Sequence, residues 1–326
     1  MNVTVLGAGA WGTALARLLT DSGQRVTLWD YFPETLAAVR ATGRNERYLP
    51  GIELPPTLHT EPDLSLAVAD AEVVVVAIVS KAFRSVTSQL GGYRGVVVSV
   101  TKGIEFESGL TMSGVLEATA PQARIVALSG PTLAMEVARG VPTAIVAASR
   151  DPAVAQQIQT LFHRPAFRVY TSPDLLGVEL GGALKNVVAI AAGACDGLGF
   201  GDNTKATLVT RALSEMRRLG VACGAQPETF TGLSGLGDLM VTCFSRLSRN
   251  RGFGERVGRG ETVPDILASM VAVAEGYPTA RAARQLALRH QITTPIIEEV
   301  YAALYEGKSP AASLRDLMAR SSKAED

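Results

Sequence analysis

Short apolar runs alternate with amphipathic stretches through the first half of the chain. The runs cover residues 3–6, 25–29, 73–78, 96–100, 125–128, 144–148 and 167–170. Such runs, separated by stretches of helical periodicity, are typical of strands buried on both faces of a mostly parallel sheet. After Ser172-Pro173-Asp174, which reads as an N-cap, a first-turn proline and an acid, the periodicity stays helical. The pattern predicts an α/β domain over residues 1–172, then an all-α domain over residues 173–326 with a disordered end from residue 321.

A glycine loop follows the first predicted strand. Gly7, Gly9 and Gly12 have the spacing GxGxxG before a helical stretch, and the next strand ends at Asp30. Strand, glycine loop, helix and terminal acid within about 30 residues form the dinucleotide-binding fingerprint, because the glycines let the backbone approach a pyrophosphate at the helix N-terminus. The fold predicted for the first domain is thus a Rossmann-type, doubly wound, mostly parallel sheet. A purely structural glycine turn is the alternative.

The acid after the second strand bears on cofactor choice. Asp30 can accept hydrogen bonds from an adenosine ribose diol, and no arginine follows it directly to hold a 2′-phosphate. We therefore expect NAD or NADP as cofactor, with NAD favoured. Arg40 and Arg44 lie close enough in sequence to keep NADP open.

Further polar residues follow the ends of later strands. Lys102 comes after the run 96–100, and Gly130 and Thr132 come after the run 125–128. Ligands of open α/β sheets lie across the carboxyl ends of the strands. These residues are therefore expected on the same edge as the glycine loop, and a functional role is favoured for Lys102 over a surface role.

One lysine stands within an apolar, small-residue segment in the middle of the chain. Lys185 has no carboxylate three or four residues away, so its partner must come from elsewhere in the fold. Gly181 and Gly182 precede it, and two glycines in a helix cost about 2 kcal/mol, tolerable where a backbone or ligand comes close. The alternative is a lysine that reaches water from a packed helix. A glycine-rich loop is expected over residues 196–203.

The second half also contains a candidate partner for this lysine and a basic turn. Asp238 and Thr242 are four residues apart on one face of a predicted helix. Asp238 could pair with Lys185 or could simply stabilise a helix N-terminus. Residues 245–251 combine three arginines with hydroxyl and amide donors, which suits a phosphate or forms a solvated turn.

Composition narrows the function classes. Lys plus Arg and Asp plus Glu both number 31, so the chain has no net positive charge that would attract nucleic acid or an anionic membrane. The apolar runs are shorter than the roughly 20 residues of a spanning helix. Three cysteines without a CxxC pair argue against a metal site and suit a cytoplasmic protein. The three histidines fall outside every motif, so lysine is the natural proton donor.

Several stretches together resemble the NAD(P)-dependent glycerol-3-phosphate dehydrogenases. They run in order along nearly the whole chain: GAGAWGTALA at 7–16, YLPG at 48–51, TKGI at 101–104, LSGP at 128–131, GGALKN at 181–186, GLGDL at 235–239 and SRN at 248–250. The Lys-Asn and Gly-Leu-Gly-Asp elements are more specific than the glycine loop. The resemblance implies reversible hydride transfer between NAD(P)H and dihydroxyacetone phosphate, giving sn-glycerol 3-phosphate for phospholipid synthesis, in a homodimer.

The resemblance also implies roles for individual residues. Lys185 is the general acid/base, Lys102 contacts substrate and cofactor, and Asp238 orients Lys185. The cofactor-binding set is Gly7, Gly9, Ala10, Trp11, Gly12, Asp30, Lys102, Ala134, Arg249 and Glu275. The substrate-binding set is Lys102, Gly130, Thr132, Lys185, Asn186, Asp238, Thr242, Ser248, Arg249 and Asn250.

The chain departs from the family pattern at three places. Ala10 stands where bacterial members often carry serine, which removes a side-chain contact to the cofactor phosphate. Thr132 replaces a usual serine and keeps the hydroxyl. Asp30-Tyr31-Phe32 stands where NADP-using members have basic residues, which again favours NAD.

Two other functions stay open at the level of sequence. A β-hydroxyacid or ketopantoate-type reductase shares the Rossmann-plus-helical plan and a Lys-Asn pair, but would prefer a substrate carboxylate. A non-catalytic nicotinamide-binding regulator would need no proton donor. The partner of either would still be a small molecule.

Overall fold

The computed structural model describes residues 1–270, 273–321 and 324. The chain divides into two compact units. Unit 1 comprises Met1–Glu105 and Leu110–Glu179, and unit 2 comprises Phe106–Gly109 and Leu180–Asp326. Most of the end that was expected to be disordered, from residue 321, lies outside the described residues.

Unit 1 is built on a sheet of eight strands, all within the fully described stretch 1–179. The strands are β1 (Asn2–Leu6), β2 (Arg25–Trp29), β3 (His59–Thr60), β4 (Val73–Val76), β5 (Val96–Ser99), β6 (Arg124–Ser129), β7 (Thr143–Ala148) and β8 (Phe167–Ser172). Their order is β3-β2-β1-β4-β5-β6-β7-β8, and every neighbouring pair is parallel except β6 and β7. The predicted doubly wound, mostly parallel sheet is confirmed. Its strand order reverses between β1 and β4, the position where such sheets bind ligands.

The valine runs explain why this sheet is buried on both faces. Val73 and Val75 of β4 belong to one apolar cluster, whereas Val74 and Val76 belong to the other. All four are fully buried. Side chains alternate across a strand, so only a continuous apolar run can supply both clusters.

Helices connect the strands of unit 1. They are α1 (Ala10–Asp21), α2 (Pro33–Thr42), α3 (Leu64–Val68), α4 (Ser80–Thr87), α5 (Met112–Thr119), α6 (Ala134–Ala138) and α7 (Pro152–Phe162). The next helix, α8 (Leu175–Gly197), begins in unit 1 and continues into unit 2.

The regular secondary structure of unit 2 is helical in its described residues, as predicted. Its further helices are α9 (Asp202–Ala222), α10 (Asp238–Phe244), α11 (Arg249–Gly258), α12 (Val263–Ser269), α13 (Gly276–Arg289), α14 (Pro295–Tyr305) and α15 (Pro310–Met318). A π-helical turn, Leu233–Gly237, leads directly into α10. The expected loop over residues 196–203 is wrong at both ends, because α8 extends to Gly197 and α9 already begins at Asp202.

The N-terminus of α8 also differs from the prediction. Asp174, rather than Ser172, caps the helix: its Oδ1 accepts a hydrogen bond of 2.9 Å from the amide of Gly177. Gly177 permits this contact, because a Cβ there would lie 2.0 Å from Asp174 Oδ2. Ser172 instead accepts a bond from the amide of Asp174.

Helix α8 is long and apolar enough to cross a membrane by length and composition alone. Its mean hydropathy over the tested window is 1.5, and 89% of that window is buried inside the protein. A largely buried apolar helix is what the core of a globular protein requires.

We predict that Asp174→Ala lowers the free energy of unfolding by about 0.5–2 kcal/mol, the usual value of an N-cap. Thermal unfolding followed by circular dichroism measures the change. Asp174→Asn is the matched control, since its amide oxygen can still accept the bond from Gly177. Equal losses in the two variants would show that capping is not what Asp174 contributes.

Candidate active site

The glycine loop between β1 and α1 is crowded on one side and open on the other. Gly7 has a φ of +110°, which favours glycine, and a Cβ on Gly12 would lie 1.9 Å from the Gly7 carbonyl oxygen. Around Gly9, by contrast, no heavy atom of the described chain lies within 4 Å of an added Cβ. Gly9 is also the N-cap of α1. Amides in the first turn of a helix lack intrahelical partners, so this open position can receive an anion.

Two polar groups flank the loop. Asn45 is buried and donates from Nδ2 to the Ala8 carbonyl (2.7 Å) and to Thr13 Oγ1 (2.8 Å). Trp11 Nε1 is buried without a hydrogen-bond partner in the described part of the chain. The sequence reasoning missed Asn45, although its place just before Tyr48 in the YLPG stretch was a usable signal.

Asp30 lies at the end of β2 and is held by backbone amides. Its Oδ2 accepts from the amide of Ala8 (2.6 Å), and its Oδ1 accepts from the amide of Phe32 (2.9 Å). A carboxylate has about four acceptor sites, so hydroxyl donors can still bind. The contact with Ala8 connects this acid directly to the glycine loop.

The two arginines that kept NADP open are both engaged within unit 1. Arg40 donates to the hydroxyl and carbonyl of Thr60, each at 3.1 Å. Arg44 pairs with Glu53 at 2.6 Å, and this contact raises the pKa of its guanidinium.

Lys102, beyond the end of β5, reaches the residues that follow β6. Its Nζ donates to the Gly130 carbonyl (3.0 Å) and lies 3.4 Å from Thr132 Oγ1. Ala134 begins α6 two residues later. The predicted unit 1 residues from Lys102 to Ala134 therefore share one edge of the sheet.

In unit 2, Lys185 is buried and paired. Its Nζ lies 2.9 Å from Asp238 Oδ1 and donates to Thr242 Oγ1 at 2.7 Å. The three residues are 6%, 1% and 5% exposed. Thr242 in turn donates to the Asp238 carbonyl, one helical turn earlier. Helix α10 thus presents both partners on the face predicted from their spacing.

The residue after Lys185 connects α8 to α11 and α13. Asn186 Oδ1 accepts from Asn250 Nδ2 (2.9 Å), and Asn250 Oδ1 accepts from the amide of Gly276 (2.8 Å). A Cβ on Gly276 would lie 2.4 Å from the Asn186 carbonyl oxygen. Both asparagines are buried.

The N-terminus of α11 carries the remaining predicted residues. Ser248 caps the helix by accepting from the amide of Arg251 (3.2 Å). Arg249, the first helical residue, exposes surface to solvent, yet desolvation by the surrounding protein lowers the pKa of its guanidinium while Glu275 raises it. Arg251 points elsewhere: it pairs with Asp196 and Glu255. Of the three arginines in the basic turn, Arg251 is therefore engaged by acidic side chains of unit 2.

The predicted site residues thus form two groups, one in each unit. Unit 1 holds the glycine-loop residues Gly7, Gly9, Ala10, Trp11 and Gly12, together with Asp30, Lys102, Gly130, Thr132 and Ala134. Unit 2 holds Lys185, Asn186, Asp238, Thr242, Ser248, Arg249, Asn250 and Glu275. Among the described residues, no group of three His, Cys, Asp or Glu side chains could bind a metal ion.

Comparison with known proteins matches the chain in two segments. Residues 2–155 match the family profile described as NAD-dependent glycerol-3-phosphate dehydrogenase N-terminus, and residues 174–315 match the profile of its C-terminus. A glycerol-3-phosphate dehydrogenase [NAD(P)+] from Geobacter sulfurreducens is 50% identical, covering 99% of this chain and 98% of that protein.

Solved structures give the same result. The crystal structure of glycerol-3-phosphate dehydrogenase from Coxiella burnetii is 36% identical, with a TM-score of 0.95 over 98% of this chain and 99% of that one. A ketopantoate reductase from Ralstonia eutropha, 15% identical with a TM-score of 0.64 over 96% of this chain and 100% of that one, shares the fold alone.

We predict opposite outcomes for two loop substitutions in the protein without nucleotide. Gly12→Ala should lower the free energy of unfolding by about 1–3 kcal/mol, because its methyl group collides with the Gly7 carbonyl. Gly9→Ala should change it by less than about 0.5 kcal/mol, because Gly9 is extended and open on that side. Urea unfolding measures both. A Gly9→Ala loss as large as that of Gly12→Ala would contradict the open side of the loop.

Proposed function

The chain belongs to the family of NAD-dependent glycerol-3-phosphate dehydrogenases, and we propose that it interconverts dihydroxyacetone phosphate and sn-glycerol 3-phosphate with NAD(H) or NADP(H). Its full-length relatives are named glycerol-3-phosphate dehydrogenase [NAD(P)+]. The observation that carries the proposal is the buried contact of Lys185 with Asp238 and Thr242. Nothing beyond fold favours a ketopantoate-type reductase, and a regulator without turnover would not need this buried lysine.

The residues of unit 1 fit a dinucleotide. The open side of Gly9 leaves room for a pyrophosphate, and the first-turn amides of Ala10, Trp11 and Gly12 provide positive potential. Asp30 accepts hydrogen bonds from the adenosine ribose, while Lys102 and Ala134 hold the nicotinamide end. When bound, the nicotinamide supplies or accepts the hydride. Because Arg40 and Arg44 are engaged elsewhere, we propose NAD as the preferred cofactor.

Lys185 is the proton donor for ketone reduction. As a hydride reaches C2 of dihydroxyacetone phosphate, the carbonyl oxygen gains negative charge, and Lys185 Nζ gives it a proton to form the alcohol. In oxidation, the neutral amine takes that proton back. Asp238 favours the charged ammonium, and Asp238 and Thr242 together fix the direction of Nζ. Lys102 stabilises charge on the same oxygen.

The phosphate end of the substrate binds at the N-terminus of α11. Ser248, Arg249 and Asn250 supply hydroxyl, guanidinium and amide donors there, and the helix dipole adds positive potential. Asn186 binds substrate beside Lys185. Gly130 and Thr132 line the substrate near Lys102, and Arg249 and Glu275 also contact the cofactor.

The remaining assignments rest on the sequence pattern and on the family resemblance. We propose residues 1–172 as the cofactor domain and residues 173–326 as the substrate domain. We further propose a cytoplasmic homodimer whose product supports phospholipid synthesis. Reduced-nicotinamide absorbance, followed with dihydroxyacetone phosphate and NADH or NADPH in parallel, tests the activity. No signal from either cofactor would refute it.

We predict that Lys185→Met lowers kcat by about 100- to 10,000-fold, the usual range for a lost general acid. Fluorescence titration should give an NADH affinity within about twofold of the wild type. Lys308→Met is the control: Lys308 pairs with Glu299 and Asp316, so its loss should leave kcat unchanged.

A second variant guards against unfolding, since Lys185→Met removes the ammonium that pairs with the buried carboxylate of Asp238. Lys185→Arg keeps the cation, but a guanidinium does not release its proton at neutral pH. It should therefore fold normally and still lose kcat by at least about 100-fold. Retention of most of kcat in either folded variant would remove Lys185 as the acid.

We predict that Asp30→Ser raises KM for NADH by roughly tenfold or more, because a hydrogen bond to a charged group contributes about 1.5–3 kcal/mol. KM for NADPH should fall, since the carboxylate no longer repels a 2′-phosphate. Asp30→Asn, which removes only the charge, should lie between. An unchanged ratio of the two KM values would contradict the proposed NAD preference.

A further inference from the structure

Helices α8 and α11 touch through their backbones. At four glycines, an added Cβ would lie only 1.9 to 2.4 Å from a carbonyl oxygen of the other helix. They are Gly193 and Gly197 of α8, and Gly254 and Gly258 of α11. Side chains that interlock as ridges and grooves normally fix how two helices lie against each other. The four glycines contribute no such side chains, so the groups beside this contact help to fix the register of the two helices.

Asp196 lies beside the glycine contact and pairs with two cations. Its Oδ1 contacts Lys205 Nζ of α9, and its Oδ2 lies 2.6 Å from Arg251 Nη2 of α11. The side chains of Asp196, Lys205 and Arg251 are only 17%, 10% and 11% exposed. Buried pairs are screened little by water, and breaking one leaves an uncompensated charge. The cluster therefore constrains how α8, α9 and α11 meet, although Arg251 also pairs with Glu255.

Each of the two cations links Asp196 to a helix that carries proposed site residues. Arg251 lies in the first turn of α11, where its amide donates to Ser248 Oγ. Lys205 Nζ lies 5.2 Å from the centre of the Phe244 ring, at the last residue of α10. Asp196 itself is near the end of the helix that carries Lys185. One carboxylate thus connects α8, α9, α10 and α11.

We infer that Asp196 is a positioning residue for the phosphate end of the substrate. Through Arg251 it holds the N-terminus of α11, with Ser248 and Arg249, at a fixed place relative to Lys185 on α8. The inference rests on the proposed function, because it requires that the α11 N-terminus binds the phosphate. Asp196 does not touch the substrate, so its loss should affect phosphate binding more than proton transfer.

Asp196→Asn tests the inference, because two explanations predict opposite signs. If only charge mattered, removing a carboxylate near the phosphate site would tighten phosphate binding. If Asp196 positions α11, KM for dihydroxyacetone phosphate and the inhibition constant of inorganic phosphate should both rise roughly tenfold, or about 1.4 kcal/mol. KM for NADH should stay unchanged, and kcat should fall by less than about threefold.

Glu299→Gln is the matched control. Glu299 is a similarly buried carboxylate of unit 2, 19% exposed, whose Oε2 lies 2.6 Å from Lys308 Nζ, but neither residue belongs to α8, α10 or α11. It should leave every kinetic constant unchanged. Arg251→Lys is the milder variant if Asp196→Asn does not fold: it keeps the charge but not the planar guanidinium, and should raise the same two constants in smaller measure.

The outcomes separate the inference from the proposed function. Tighter or unchanged phosphate binding in folded Asp196→Asn would overturn the inference. A change in kcat as large as the change in KM for dihydroxyacetone phosphate, in both Asp196→Asn and Arg251→Lys, would also overturn it. Wild-type protein that does not reduce dihydroxyacetone phosphate would instead count against the proposed function. Calorimetric titration of wild type and Asp196→Asn with inorganic phosphate then decides the inference: weaker binding by the variant supports it, and equal binding overturns it.

Discussion

A buried ammonium group must be paired, and this requirement governs the arrangement of unit 2. Lys185 is 6% exposed, and an unpaired charge at such a site would cost several kcal/mol. Both of its named partners, Asp238 and Thr242, lie on α10. The segment before α10 must therefore come very close to α8. Gly181 allows this approach, because a Cβ there would lie 2.7 Å from the carbonyl oxygen of Ser234.

The small residues of α8 serve the same purpose along the rest of the helix. Gly193 and Gly197 let the backbone of α11 touch α8, and Gly276 of α13 does so beside Asn186. Glycine in a helix costs about 1 kcal/mol relative to alanine, and close backbone packing offsets that cost. Helix α8 can therefore contact the helices that carry the polar partners of Lys185 and Asn186. An α8 built from larger apolar residues would bury more surface but would push those partners away.

Local patterns made the sheet and the glycine loop predictable. A few consecutive residues were enough to indicate the valine strands β4 and β5 and the loop at Gly7. Strand β7 lies antiparallel to β6. This direction was not predictable, because an apolar run does not show which way its strand runs in the sheet. The contact of Arg40 with Thr60 and the cluster around Asp196 depend on which elements fold against each other. Spacing could propose Asp238 as a partner of Lys185, but only the packing of α10 on α8 distinguishes it from a helix-end acid.

Charge placement explains how a chain with equal numbers of acidic and basic residues can bind a phosphorylated substrate. Lys185 is balanced by Asp238, and the cations of Lys205 and Arg251 are balanced by Asp196 and Glu255. These ion pairs hold helices of unit 2 together, and their charges balance one another within the protein. Arg249 differs, because it stands at a helix N-terminus, where the dipole adds to its own charge. Burial lowers the pKa of the Arg249 guanidinium, whereas the negative charge of Glu275 raises it. The cation and the helix N-terminus together are what the proposed phosphate site requires.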